Sequence, residues 1–231
     1  MSQTVIDTAK QAAALRAIEF VRDGMTLGLG TGSTAELILA ALGEKIRQGW
    51  TLRGVPTSED TATKARHAGI PLVTFEEVDR LDFAIDGADE VSPTFDLIKG
   101  RGAALLREKI VAWSANKLVI CVDPSKLVQR IGEKFALPIE VLPFAWPLVF
   151  RELQHMGGSP VLRAANNVPA LTDNGNNVID CSFPSFAPLA EMDAKLNAIP
   201  GVIGHGLFLG MTTSVVVGYP DGRTEILGEQ P

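Results

Sequence analysis

The sequence predicts an α/β protein: a mainly parallel, Rossmann-like sheet domain with an inserted smaller α+β domain. Three observations predict it. Short apolar runs of strand length alternate with helical stripes from the N-terminus to about residue 131, as in a parallel sheet covered by helices. Three of the runs lead directly into loops that carry chemistry: GLGTGST (Gly28 to Thr34), DGADE (Asp86 to Glu90) and DPSK (Asp123 to Lys126). After about Gly132 the alternation gives way to shorter strands, prolines and a hairpin signal. The expected division is residues 1–131 plus 206–231 for the α/β domain and 132–205 for the insertion, both within ordinary domain sizes.

Taken in order, Ala9 to Val21 carries Ala14, Leu15, Ile18 and Val21 at helical spacing and is stopped by Asp23-Gly24. Met25 to Leu29 reads as a buried strand. GLGTGST turns the chain into the helix AELILAALGEKI, with Leu37, Leu39, Leu42 and Ile46 as its buried positions and Ser33 or Thr34 as its N-cap. Thr51 to Pro56 is a second strand, and Ser58-Glu59-Asp60 opens a helix to about His67. Ile70 to Val73 and Leu81 to Ile85 are further short strands. Ala103 to Trp113 is a helix with Leu106, Ile110 and Trp113 on one face. Lys117 to Val122 is almost continuously apolar, as a parallel strand covered on both sides should be.

In the insertion, LPIEVLP is a strand between prolines, Phe144 to His155 a helix and Pro160 to Arg163 a strand. Val168 to Thr172 and Asn177 to Phe183 flank Asp173-Asn174-Gly175-Asn176, which predicts a hairpin. Pro188 to Ile199 is a helix with proline at its start, and Val202-Ile203 begins another strand. Apolar runs around Tyr219-Pro220-Asp221-Gly222 suit strands that rejoin the first sheet.

Composition narrows the function. The 231 residues are 46% hydrophobic and 21% charged, with a net charge of −6. That balance excludes a general polyanion binder, so no nucleic-acid partner is expected, yet one local basic spot can still take a small phosphate. No apolar run approaches the ~18 residues of a membrane span. MSQTVIDTAKQAAALRAIEFV lacks a basic region followed by an apolar one, so neither a signal peptide nor a membrane partner is expected, and the location expected by default is cytoplasmic. Cys121 and Cys181 lie in strand-like runs and are expected as buried, reduced thiols.

GLGTGST sets backbone N–H groups and hydroxyls at a helix N-terminus, where unpaired donors and the helix dipole favour an anion. It departs from the dinucleotide fingerprint, having Ser33 at the third glycine position, and from the P-loop, having no Gly-Lys-Ser/Thr. Its G-x-G-x-G form also occurs in S-adenosylmethionine-dependent methyltransferases. Alone it separates ligand binding only weakly from a tight turn. Asp86 and Asp89 alone would be solvated acids or turn caps, Lys99 a surface lysine, and Glu108 part of a charged helix face. Their spacing by Gly87, Ala88, Gly100 and Gly102 suggests a backbone that something approaches closely. In a parallel sheet the three loops share one edge, and Glu108 lies about 9 Å into a helix that starts there. Carboxylates, lysines and an anion-binding turn at one edge suit proton transfer on a phosphorylated small molecule. His67, His155 and His205 are dispersed, so no metal and no cofactor is expected. A serine nucleophile would lack its G-x-S-x-G elbow.

GLGTGSTA, DGADE, KGRGAALLREK and CVDPSK, in this order, resemble the A-type ribose-5-phosphate isomerase family, and LPIEV, TDNGN and IPGV…GLF extend the resemblance over nearly the whole chain. The resemblance implies metal-free interconversion of ribose 5-phosphate and ribulose 5-phosphate in the pentose phosphate pathway, by a homodimer or homotetramer. It puts the general base on Glu108 and substrate contacts on Thr31, Gly32, Ser33 and Thr34, on Asp86, Gly87, Ala88 and Asp89, on Lys99, Gly100, Arg101 and Gly102, and on Lys126. Arg101 stands where bacterial members carry a glycine and resembles plant-type members. In chemical terms Lys99 would face the enediolate oxygen, Asp86 or Asp89 would open the ring and move hydroxyl protons, and Lys126, Ser33 and Thr34 would hold the phosphate. Two rival readings are a sugar-phosphate sensor module of the same fold and a methyltransferase. The first normally carries a DNA-binding helix-turn-helix, for which the residues before Gly28 leave no room. The second wants an acid after the second strand, where Val55-Pro56-Thr57 stands.

Overall fold

A computed structural model describes residues 3–186 and 188–230. In chain order the elements are α1 (Gln3–Ile18), β1 (Thr26–Leu29), α2 (Ser33–Arg47), β2 (Arg53–Pro56), α3 (Glu59–His67), β3 (Phe83–Asp86), β4 (Glu90–Val91), β5 (Leu97–Ile98), α4 (Leu105–Ser114) and β6 (Leu118–Val122). A 3-10 turn at Pro124–Lys126 leads to β7 (Leu137–Val141), α5 (Trp146–His155), β8 (Ser159–Leu162), β9 (Ala164–Ala165), β10 (Val168–Pro169) and β11 (Asn177–Ser182). The chain ends with α6 (Leu189–Asn197), β12 (Val202–His205), β13 (Leu207–Phe208), β14 (Ser214–Gly218) and β15 (Thr224–Gly228).

These elements form two compact units. The first comprises Met1–Ala88, Arg107–Leu127 and Met211–Pro231; the second comprises Asp89–Leu106 and Val128–Gly210. The second unit thus takes in residues 89–106, which the sequence reading assigned to the first domain. The cause is local pairing: β4 and β5 are two-residue strands that form a small antiparallel sheet with β13.

The first unit is built on one six-stranded sheet, ordered β15-β14-β6-β3-β1-β2, parallel except for β15. Leu27 and Leu29 of β1, Ile38 and Leu42 of α2, Ile85 of β3 and Val119 of β6 form its core. On the opposite face of β1 sits Gly28. A Cβ there would lie 2.5 Å from Val111 Cγ1 of α4 and 2.8 Å from the Ala84 Cβ, so glycine is what lets α4 pack against β1. The chain leaves β1 toward β2 on one side and takes β3 on the other. The crevice at the carboxyl ends of β1 and β3 is therefore a topological switch point, where such sheets receive ligands.

The second unit carries the antiparallel sheet β12-β7-β11-β8, packed with α5 and α6 around Ile139, Val141, Val149, Leu153, Ile179 and Leu196. Glu90 is wholly buried and accepts hydrogen bonds from three backbone amides, Gly132 (2.6 Å), Lys134 (2.6 Å) and Phe135 (2.8 Å). A buried carboxylate is tolerated when donors surround it in this way.

Several local expectations differ from the structure. The Ile70 to Val73 strand shrinks to one bridge, Gly54↔Leu72, on the outer edge of β2, because Pro56 and Pro71 lack the N–H groups that would extend the ladder in either direction. α1 buries Ala9, Ala13, Ala14 and Ala17, and Leu15 stays exposed; small residues seat this helix close to the sheet. α2 buries Ile38 rather than Leu37. Of the expected Leu106, Ile110, Trp113 stripe of α4, Ile110 and Trp113 are exposed and Leu106 is half-buried, while Leu105, Glu108, Val111 and Ala112 face inward. At Asp173–Asn176 the turn forms, with Thr172 N donating to Asn176 O (2.9 Å), and the hairpin is limited to one antiparallel bridge, Leu171↔Asn177. β11 pairs with β7 and β8, and β10 pairs with β9.

Candidate active site

Within the first unit the Gly-rich turn and the end of β3 are locked together. Asp86 is 4% exposed, and its Oδ1 accepts from Thr31 N (3.2 Å) and Gly87 N (2.8 Å). Gly30 N donates to Ile85 O (3.1 Å), which draws the turn onto β3. A Cβ on Gly30 would stand 2.2 Å from Asp86 Oδ1, so only glycine fits beside this carboxylate. Gly87 comes near Thr34, since a Cβ there would lie 3.9 Å from the Thr34 Oγ1.

α2 begins at Ser33 with Gly32 as N-cap, at φ 99° and without a side-chain cap bond, so neither Ser33 nor Thr34 caps it. The turn demands a left-handed residue just before the helix, which glycine supplies without strain. Ser33 is thereby free to point its hydroxyl elsewhere, and it accepts a hydrogen bond from Lys10 Nζ of α1 (2.9 Å). Nothing in the sequence distinguishes Lys10 from a solvated helix lysine, which is why it escaped notice. Beneath the turn, the Thr31 hydroxyl meets those of Thr57 (2.7 Å), Ser58 (2.9 Å) and Thr61 (3.1 Å). Thr61 donates in turn to Gly30 O (2.9 Å), and Thr57 to Leu29 O (2.9 Å). The run of hydroxyls after β2 was the available signal for this cluster.

Glu108 is 6% exposed on the inward face of α4. Val111, on the same face, packs at Gly28. α4 is the crossover between the parallel strands β3 and β6, so its N-terminus starts at their carboxyl edge. Glu108 thus lies about 4.5 Å nearer that edge than Val111. β1 runs from Gly28 to that same edge at ~3.3 Å per residue, so Glu108 is level with Leu29 and Gly30. At the end of β6, Asp123 caps the 3-10 turn by accepting from Ser125 N (2.9 Å), and this turn carries Lys126. The first unit therefore brings Thr31, Gly32, Ser33, Thr34, Asp86, Gly87, Ala88, Glu108 and Lys126 to the carboxyl edge of one sheet.

The remaining expected site residues, Asp89, Lys99, Gly100, Arg101 and Gly102, belong to the second unit. Lys99 is 3% exposed, with Nζ 5.7 Å from the Phe208 ring centroid, and its N–H donates to Gly206 O (2.9 Å). Asp89 Oδ2 accepts from Arg101 N (3.1 Å). The Arg101 side chain lies over the Phe135 ring, 5.2 Å from its centroid. Arginine at this position thus leaves the backbone amide on Asp89 and parks its side chain on an aromatic ring.

Cys121 and Cys181 are free and buried. Burial raises the Cys121 thiol pKa strongly, helped by the negative charge of Asp86, and pushes Cys181 up to about 12. Neither serves as a nucleophile in that state. Among the described residues, no three His, Cys, Asp or Glu side chains stand together as a metal-binding group.

The sequence profile of the family described as ribose 5-phosphate isomerase A (phosphoriboisomerase A) matches residues 53–222. The chain is 49% identical over 220 residues to ribose-5-phosphate isomerase A of Roseiflexus castenholzii, covering 94% of each. It is similar to the solved ribose 5-phosphate isomerase A of Methanocaldococcus jannaschii, with 44% identity, a TM-score of 0.90, and 95% and 98% of the two chains covered. A D-ribose-5-phosphate isomerase solved in complex with phospho-erythronic acid matches at TM-score 0.94 and 41% identity, covering 99% of this chain and all of that one. This chain belongs to the ribose 5-phosphate isomerase A family of isomerases.

Proposed function

We propose that the chain interconverts D-ribose 5-phosphate and D-ribulose 5-phosphate through an enediolate, with Glu108 as the base that moves the carbon-bound proton. The observation that carries this reading is the burial of Glu108 level with an uncapped, Gly-rich helix N-terminus. The proton leaves C2 and returns to C1, while a hydroxyl proton passes from O2 to O1. One carboxylate serves both carbon steps, and its partial removal from water suits a base of moderate strength. The phospho-erythronic acid held by the 41% identical relative supports the same chemistry. A phosphorylated sugar acid offers a planar, anionic pair of oxygens, as an enediolate does.

Lys99 is assigned to the enediolate oxygen, where a positive donor stabilises developing charge. Asp86 or Asp89 opens the furanose ring. Lys126, Ser33 and Thr34 bind phosphate, joined by Lys10 on the strength of its bond to Ser33. Gly87, Ala88, Gly100, Arg101 and Gly102 complete the substrate contacts through backbone. The reaction falls in the pentose phosphate pathway, and the expected setting is a cytoplasmic homo-oligomer. No helix among the described residues is long and apolar enough to cross a membrane. Trp113, 70% exposed, and Phe144, 93% exposed, support self-association.

The test is Glu108→Gln, which keeps shape and removes the base. kcat for ribose 5-phosphate falls by at least ~10²-fold with a smaller change in KM. Turnover near wild type removes Glu108 from the base role.

A further inference from the structure

We infer that Arg163, held in orientation by Asp180, is a positioning residue for the Lys99–Gly102 loop; the inference rests on the catalytic role given to that loop above. Arg163 lies just past β8, and its N–H donates to Val178 O (2.8 Å), extending the pairing of β8 with β11. Its guanidinium is divided between two tasks. Nε donates to Asp180 Oδ2 (2.8 Å) and Nη2 to Asp180 Oδ1 (2.5 Å), a two-bond fork with a carboxylate that sits on β11. The fork fixes the plane of the group, and Nη1 then reaches two consecutive carbonyls, Gly100 O and Arg101 O, each at 3.1 Å. The pair is largely shielded, at 20% and 29% side-chain exposure.

The loop needs such a hold. Gly100 has φ 108° and Ala103 φ 61°, the second a left-handed conformation that a residue with a Cβ seldom adopts. A Cβ on Gly100 would lie 2.7 Å from that of Leu105, so the turn is tight as well as unusual. The N–H side of the loop is tied by Lys99 to Gly206 O and by Arg101 to Asp89 Oδ2. Its C=O side is tied by Arg163. An ordinary surface ion pair would spend its whole fork on the carboxylate; here Nη1 is directed at the backbone that follows Lys99. Lysine cannot replace this arrangement, because an ammonium lacks the planar fork that holds one group in register with another.

The test compares Arg163→Lys and Asp180→Asn with the wild-type chain by steady-state kinetics on ribose 5-phosphate and by amide hydrogen exchange. Arg163→Lys lowers kcat by about 10-fold or more, changes KM by less than about threefold, and speeds exchange at residues 100–103 by about 10-fold, with the sheet β12-β7-β11-β8 unaltered. Asp180→Asn shifts both readouts the same way by a smaller factor, and carries the test alone if the lysine variant fails to fold. Unaltered exchange at 100–103 overturns the clamp, whatever kcat does. Faster exchange with kcat within twofold of wild type overturns the positioning role, and it faults the catalytic assignment of the loop rather than the geometry of Arg163. Full activity with lysine shows that charge suffices and also overturns the proposal.

Discussion

Replacing Gly30 with alanine tests the contact that joins the Gly-rich turn to Asp86. The new Cβ would stand 2.2 Å from Asp86 Oδ1, 2.4 Å from Cγ and 2.8 Å from Cα, whereas ordinary contact begins at 3.4 Å. The Cα belongs to the backbone, so rotating the carboxylate does not relieve the clash. The ends of β1 and β3 must part, and that movement strains the bonds Asp86 accepts from Thr31 N and Gly87 N. A hydrogen bond to a charged group is worth about 1.5–3 kcal/mol, and overpacking alone costs about 1–3 kcal/mol. Partial relaxation leaves an expected destabilisation of about 3 kcal/mol. The required movement of about 1 Å at Asp86 also lowers kcat by about 10²-fold. Gly32→Ala is the comparison for stability: its φ is 99° and its ψ −175° but nothing lies within 4 Å, so the cost is the backbone term alone, about 1–3 kcal/mol. Urea unfolding followed by circular dichroism, together with turnover of ribose 5-phosphate, measures both effects. If Gly30→Ala unfolds at the wild-type midpoint and keeps kcat within threefold, the contact does not organise the site and the reasoning fails.

Three further outcomes are expected. Lys126→Ala and Lys10→Ala each raise KM for ribose 5-phosphate about 10-fold with a smaller effect on kcat, the worth of one charge-assisted bond, and an unchanged KM removes that lysine from phosphate binding. Glu90→Ala leaves the amides of Gly132, Lys134 and Phe135 without their acceptor, so Tm falls by about 6 °C or more; a melt within 2 °C of wild type means that loop is held by something else. The two thiols stay silent to a thiol reagent at pH 8 in the folded chain, and both react in urea. Unfolded thiols ionise near ~8.5, while the folded Cys181 remains protonated to about 12. Across that window the folded chain binds more protons, so its stability is undiminished below about pH 8.5 and declines as pH rises above it. Unfolding curves at pH 7.5 and 10 check the sign.

The sequence made the parallel sheet legible because β3 and β6 are near-continuous apolar runs and helical stripes separate the strands. Gly28, Gly30 and Gly32 marked the turn, although the reason for each differs: close helix packing, room for a carboxylate, and a left-handed backbone. What escaped is instructive. The outward stripe of Ile110 and Trp113 on α4 was read as inward because hydrophobic periodicity reports only that a face is apolar. It was Glu108, a charged residue, that marked the buried face. The strand at 70–73 shrank to one bridge because Pro71, and Pro56 on β2, interrupt the ladder, which an apolar run alone does not reveal. Residues 89–106 group with the second unit through strands of two residues, which leave no periodic trace. Lys10, Thr61 and Arg163 act through partners 23 to 63 residues distant, and composition carries no record of such pairings.

The position of β14 has a consequence for biosynthesis. It is seated between β6 and β15, yet it is made about a hundred residues after β6. It is also the seat of α1: a Cβ on Gly218 would overlap the backbone of Ala9 and Ala13. α1 therefore waits for a strand made about 200 residues later, on the order of 10–40 s at ordinary translation rates. Meanwhile the apolar edge Leu118–Val122 stands open, a template for strand pairing with other chains. Loss of residues 212–231 would strip an interior strand rather than trim a tail.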